Sequence, residues 1–206
     1  FREIISNKDR EFDLKNCFWY FTTSGEKWVN FVSNYTSSCA IISMVTYIIG
    51  LGDRHLKNIM INKDSGILMN IDFCDVFEID QTRVDIPETV PFRLTRNMVN
   101  ALGPSGCNGC FAKYCEETLA VMRMNKDNIM KILKVFVDSP IQPINSYNIY
   151  TLIRDDEEVT RSKNIAINAL KRIDKKLNGT DVYIIRSNDY DLDNNKDLQN
   201  APLLTE

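Results

Sequence analysis

The sequence is poor in histidine, holding only His55 among 206 residues. Cys107-x-x-Cys110 and Cys115 have the look of metal ligands, but no second Cys pair accompanies them, and His55 lies in another motif. A structural zinc site needs four such groups, so these are read as thiols on a turn and a helix. The six cysteines form no disulfide framework, and with no signal peptide in view they read as reduced thiols of a cytosolic or nuclear protein. An excess of basic charge is also missing. The formal net charge is −3, all of it carried by Asn188–Asp197 with four Asp against one Lys, so no basic face for nucleic acid can be read. The apolar stretch Ala40–Ile49 is far shorter than the roughly 20 residues a membrane span requires. Glycines Gly103, Gly106 and Gly109 follow no strand and precede no Lys-Ser/Thr, which leaves them as turn glycines rather than a phosphate loop. Hydrophobic residues make up 44% of the chain, enough for a substantial core.

Chemistry is concentrated between Gly50 and Glu78. Ile59–Ile61 and Ile67–Met69 are short apolar runs separated by Asn62-Lys-Asp-Ser-Gly66, residue types that make a turn, and together they predict a β-hairpin. A hairpin brings its open ends together, so Asn58 before the first strand and Asp72 after the second should lie side by side. Two oxygen ligands then face one point. Mg²⁺ takes one or two protein oxygens and fills its other positions with water and phosphate.

Asp53 precedes Asn58 by five residues, the Asp-x-x-x-x-Asn spacing of a protein-kinase catalytic loop, and Asp72-Phe73 begins a metal-binding Asp-Phe-Gly. The order Asp53-Arg54-His55 inverts the usual His-Arg-Asp. That inversion, with Gly50-Leu-Gly52 before it and Asn58 after it, resembles the phosphoinositide 3-kinase-related superfamily, the PI3/PI4-kinase superfamily of lipid and protein kinases. The resemblance implies an α+β, mostly α fold: the large, helical C-terminal lobe of a two-lobed protein-kinase-like structure, with a small hairpin at the active site. The kinase C-lobe would occupy residues 1–181, with the catalytic loop at 50–58, the metal-binding and activation segment at 72–96 and helices to about 178. Residues 182–206 would be an acidic, disordered tail.

Along the chain, Phe1–Trp28 mixes charge with Phe12, Phe18, Trp19, Tyr20 and Phe21, and is read as packed core. Asn34–Ser38 offers N-caps for a buried helix ending at Gly50. Pro87 and Pro91 interrupt regular structure after Asp72. Asp75, Glu78, Asp80, Asp85 and Glu88 against Arg83 alone would repel an inositol phosphate, favouring a protein over a lipid substrate. A helix then closes at Gly103-Pro104. Phe111, Cys115, Leu119 and Met122, and then Ile129, Leu133 and Phe136, recur at helical spacing; Glu157–Leu177 gives a last amphipathic helix before Gly179.

Ile86–Arg96 (IPETVPFRLTR) resembles the protein-kinase branch of the superfamily, which includes ATM, ATR, TOR and the DNA-dependent kinase. Phe1-Arg-Glu, Asn97–Pro104 and Cys74 in place of Gly resemble the ATR checkpoint kinases most, with TOR next. The resemblance implies a serine/threonine protein kinase using ATP and Mg²⁺. Asp53 would orient the acceptor hydroxyl, His55 would stabilise or relay charge, and Asn58 and Asp72 would hold the metal on the ATP phosphates. An ATR-like enzyme implies Ser/Thr followed by Gln in its protein substrates, a nuclear DNA-damage checkpoint role and a regulatory partner that brings it to DNA. A TOR-like one would be cytoplasmic. No membrane contact is implied. A non-catalytic remnant acting as a binding scaffold is the reading from a different class. Before Gly50 the only glycine is Gly25, and Lys8, Lys15 and Lys27 sit in polar surroundings, so the small lobe is expected to be absent here, as is the C-terminal FATC-like segment. The isolated chain is therefore expected to be inactive and to self-associate through an open cleft.

Overall fold

A computed structural model describes residues 13–73, 75–78, 90–138 and 156–180. Its elements are α1 (Asp13–Phe21), α2 (Gly25–Ile49), β1 (Ile59–Ile61), β2 (Leu68–Asn70), α3 (Arg96–Ala101), α4 (Cys110–Met124), α5 (Lys126–Asp138) and α6 (Asp156–Leu177). Among the described residues the fold is mostly helical with one small antiparallel sheet, as the sequence leads one to expect.

α2 is the axis. It starts at Ser24, whose side chain accepts a hydrogen bond from the Lys27 amide, and ends at Gly50 in the left-handed conformation. It does not begin at Asn34–Ser38. Those residues lie inside the helix, where Thr36 and Ser38 donate their hydroxyls to the carbonyls of Val32 and Asn34 at 2.8 and 2.6 Å. A hydroxyl that finds the carbonyl four residues back has no need of a helix end. By length and composition α2 would suffice to cross a bilayer. Yet Tyr35, Ala40 and Ile48 are fully buried against the surrounding elements, which makes it a core helix.

One apolar cluster joins Phe18, Phe31, Tyr35, Cys39, Leu68 and Phe111, binding α1, β2 and α4 to the first half of α2. Phe18 meets Phe31 and Tyr35 with ring centroids 4.8 Å apart in both cases, tilted and edge-on. A second cluster gathers Ile173 and Leu177 of α6 around Ile48, with Leu119, Met122, Ile129 and Leu133 packed against it. These residues of α4, α5 and α6 are the core stripes that the helical spacing indicates. The aromatic run of α1 is core only at Phe18, because Trp19 and Tyr20 are 61% and 72% exposed and Phe21 is exposed too. Consecutive residues on a helix cannot all face one side, and the mixed run obeys that geometry.

The hairpin forms with Ile59 opposite Asn70 and Ile61 opposite Leu68. Its second strand lies one residue later than the sequence indicates. Leu68 turns inward and is buried, whereas Ile67 is exposed and belongs to the connecting loop. Period-two alternation fixes which residues face the core, and Leu68 rather than Ile67 has the inward phase. Phe12, Cys74, the acidic residues of 79–89, the side chain of Phe136, residues 139–155 and the tail 182–206 lie outside the described part of the chain.

Candidate active site

The loop that leaves α2 and the loop that leaves β2 are stitched together by backbone hydrogen bonds. The Gly52 amide donates to the Asp75 carbonyl at 2.6 Å, Phe77 to Ile49 at 2.9 Å and Glu78 to Gly50 at 2.9 Å. Gly50 has φ +63°, and a Cβ on it would overlap Glu78 Cγ and stand 2.8 Å from the Glu78 amide nitrogen, so glycine is required both for the turn and for the approach. Asp53, Asp72, Phe77 and Glu78 also have positive φ, between 49° and 66°. Left-handed L-residues cost about 1–2 kcal/mol each, and four of them in two short segments need support from around them.

At the hairpin mouth the Ile71 amide donates to the Asn58 carbonyl at 2.9 Å, extending the ladder one step beyond β1 and β2. Asn58 therefore lies opposite Ile71, and Asp72 follows immediately. Asn58 Nδ2 donates to the Asp53 carbonyl at 2.9 Å and to Asp53 Oδ2 at 3.3 Å. The amide nitrogen is thereby committed to Asp53, which leaves the amide oxygen as the atom able to meet a cation. Asp72 is solvent-exposed, as a residue that must meet a ligand has to be.

His55 caps the short 3₁₀ turn Leu56–Asn58, its Nδ1 accepting from the Lys57 amide at 3.1 Å. In the neutral ring this puts the proton on Nε2, which stands 3.8 Å from Asp53 Oδ1. That separation is too long for a hydrogen bond and close enough for a charge on one to be felt by the other. The loop thus brings together Asp53, His55 and Asn58, and the hairpin sets Asp72 one residue beyond Ile71, the partner of Asn58.

Among the described residues no three His, Cys, Asp or Glu side chains are grouped to hold a metal. Asp72 and Asn58 alone fit a hard ion that takes most of its oxygens from phosphate and water, and they do not fit zinc.

Two contacts have no counterpart in what the sequence indicates. Arg54 is only 7% exposed, and its Nη2 donates to the Val90 carbonyl at 2.7 Å, tying the far end of the segment after Asp72 back to the catalytic loop. Glu78 is held by Arg172 and Lys176 of α6, with Arg172 Nη1 at 2.6 Å from Oε2. By sequence Glu78 counts among the acidic loop charges that would repel a lipid headgroup; its carboxylate is instead compensated within the lobe. A basic pair four residues apart, about a hundred positions downstream, gives no local signal of this.

A helical lobe whose central helix delivers a Gly-Leu-Gly-Asp-Arg-His loop to the mouth of a hairpin, with an Asp-Phe pair on the other side, is the large lobe of the protein-kinase-like fold. More narrowly, the chain belongs to the phosphatidylinositol 3- and 4-kinase family, whose sequence profile matches residues 2–146. It is 44% identical over 129 residues to the serine/threonine-protein kinase mTor of Drosophila melanogaster, covering 63% of this chain and 5% of that protein. To the serine/threonine-protein kinase TOR2 of Saccharomyces cerevisiae it is 37% identical over 222 residues, 93% of this chain and 9% of that protein. The serine/threonine-protein kinase TEL1 of Debaryomyces hansenii is 44% identical over 128 residues, 62% of this chain and 4% of the relative. Among solved structures, the FAT and kinase domain of CtTel1 superposes with a TM-score of 0.65 at 30% identity, covering 80% of this chain and 11% of that one. The chain therefore spans less than a tenth of the length of these curated relatives.

Proposed function

We propose that the chain is the catalytic lobe of a serine/threonine protein kinase that transfers the γ-phosphate of Mg-ATP to a protein hydroxyl. The observation that carries this reading is the junction at the hairpin mouth, where Asn58 is hydrogen-bonded to Asp53 and lies opposite Ile71, the residue that precedes Asp72. Asp53 orients the acceptor hydroxyl, and His55, with its Nε2 proton beside that carboxylate, stabilises charge as the hydroxyl proton moves. Asn58 and Asp72 would hold Mg²⁺, which when bound neutralises charge on the transferring phosphate. The chain's own contribution is position and electrostatics, supplied by a loop fixed to a buried helix.

A protein acceptor is supported by the relatives, which are named serine/threonine-protein kinases. The acidic loop contributes less, because Glu78 is paired and residues 79–89 lie outside the described residues. Within the protein kinases, Asn97–Pro104 and Cys74 resemble the ATR branch. The named relatives are TOR and TEL1 kinases, and on that support TOR is placed first and ATR second. The TOR reading carries a cytoplasmic location. The ATR reading carries a nuclear one, a DNA-damage checkpoint role and a regulatory partner that recruits the enzyme to DNA.

The test gives the full-length protein labelled ATP with Ser-Gln peptides, peptides with Ser before other residues, and phosphatidylinositol vesicles. Label in peptides irrespective of Gln supports a TOR-type kinase, and strict dependence on Gln restores the ATR type. Label confined to lipid overturns the protein-kinase reading.

A further inference from the structure

Arg172 and Lys176 are four residues apart on α6, one above the other, and both grip the carboxylate of Glu78. Lys176 is only 4% exposed. Besides Glu78 Oε1, its ammonium meets the Tyr47 carbonyl at 2.7 Å and lies 4.7 Å from the centroid of the Tyr47 ring. One buried cation thus joins α6, the last turn of α2 and the segment that follows Asp72. A buried ion pair is a poor way to gain stability, since well-packed apolar residues serve as well or better. Its advantage is that it accepts only one arrangement.

That arrangement bears on the site. Among the described residues Glu78 is the last pinned beside Ile49–Gly52, and it and Phe77 are both left-handed. Two such residues in succession are not held by local preference; their amides bond Ile49 and Gly50, and α6 holds the Glu78 side chain as well. We infer that Lys176, assisted by Arg172, is a positioning residue: through Glu78 it fixes Asp75–Glu78 against the loop that leaves α2, and so bears on where Asp72, three residues before Asp75, stands relative to Asn58. The inference rests on the kinase reading of the site. A displacement of α6 is then felt at the proposed metal site, although none of the described α6 side chains is among its proposed ligands.

The full-length protein carrying Lys176→Met with Glu78→Gln tests this, because removing both charges leaves no unpaired carboxylate behind. The expected result is a kcat at least about tenfold lower and an Mg²⁺ concentration for half-maximal rate at least about threefold higher, with the melting temperature nearly unchanged. Should that variant fail to fold, Lys176→Met alone carries the same readouts, since Arg172 still pairs the Glu78 carboxylate. A merely structural pair would lower the melting temperature or the active fraction and leave the Mg²⁺ requirement alone. Either that pattern or kcat and Mg²⁺ values within about twofold of wild type overturns the inference. Asp72→Asn, made in parallel, separates the two levels. If Asp72→Asn abolishes transfer and the pair variant is normal, only the positioning role falls; if Asp72→Asn is active, the metal reading falls and the positioning role with it.

Discussion

Asn58 spends its amide N–H groups on Asp53, at 2.9 Å to the backbone carbonyl and 3.3 Å to the carboxylate. One side chain therefore belongs both to the Asp53 carboxylate and to the hairpin mouth just before Asp72. Asn58→Ala removes the link and the oxygen together. In the full-length protein, transfer to a peptide is expected to fall by about a hundredfold or more, in the range typical of lost electrostatic and positioning contacts. Asp72→Asn is expected to lower transfer by several orders of magnitude with little change in melting temperature, because Asp72 is exposed and its loss opens no cavity. Rates within a few-fold of wild type for Asp72→Asn would remove it from the metal site.

Gly50 and Gly25 make an internally controlled pair. Gly50→Ala would force an L-residue into φ +63° and drive its Cβ into Glu78 Cγ, 2.8 Å from the Glu78 amide nitrogen. A loss of at least about 2 kcal/mol and a strongly reduced activity are expected. Gly25, the first residue of α2, has open space for 4 Å around the position a Cβ would take. Gly25→Ala is expected to stabilise by about 0.5–1 kcal/mol by stiffening the unfolded chain. Melting curves of both variants check the pair; equal effects would show that the approach of Glu78 to Gly50 is not tight.

The site is legible in the sequence because its residues are close along the chain. Asp53, His55 and Asn58 share one loop, and a hairpin of three-residue strands sets Ile71, the residue before Asp72, opposite Asn58. The central helix is legible at Gly50, where a single residue type marks the end, and illegible at its start, because Asn34–Ser38 carries side chains that suit caps and helix interiors alike. Long-range polar contacts leave no such trace. Glu78 with Lys176 and Arg54 with Val90 join positions whose pairing no periodicity encodes. The exposed aromatics of α1 escape a reading by composition, which gives hydrophobicity without direction.

The thiols carry a prediction about reactivity and pH. Burial pushes the Cys39 thiol up to about 12 and the Cys115 thiol up to about 11, with neighbouring thiols adding to both. Cys110 is exposed. Alkylation of the folded protein at about pH 8, read by peptide mass spectrometry, should modify Cys110 well ahead of Cys115 and leave Cys39 protected. An unfolded chain releases these protons at about 8.5, whereas the folded one keeps them. Their contribution to stability is therefore full below about 8.5 and is lost as pH climbs towards 11–12. A Cys39→Ala variant should lose less stability than wild type across that window, and an identical alkaline profile would show that Cys39 does not titrate there.

Ser38 shows how a hydroxyl inside a helix can organise the sheet beside it. Its Oγ donates to the Asn34 carbonyl at 2.6 Å and accepts from the Leu68 amide at 2.9 Å, so α2 supplies the acceptor for the first residue of β2. Nearby, Asn34 Nδ2 donates to the Ser65 carbonyl at 2.9 Å. These two contacts seat the turn end of the hairpin on α2 independently of its own ladder. Ser38→Ala takes away the partner of the Leu68 amide, and a buried donor left unpaired costs about 1–3 kcal/mol. Ser38→Thr keeps the hydroxyl. The alanine variant should lower the melting temperature and speed hydrogen exchange at Leu68 and Met69, while the threonine variant should retain most of the protection. Unchanged exchange in Ser38→Ala would mean that the hairpin is seated by packing of Leu68 and Phe31 alone.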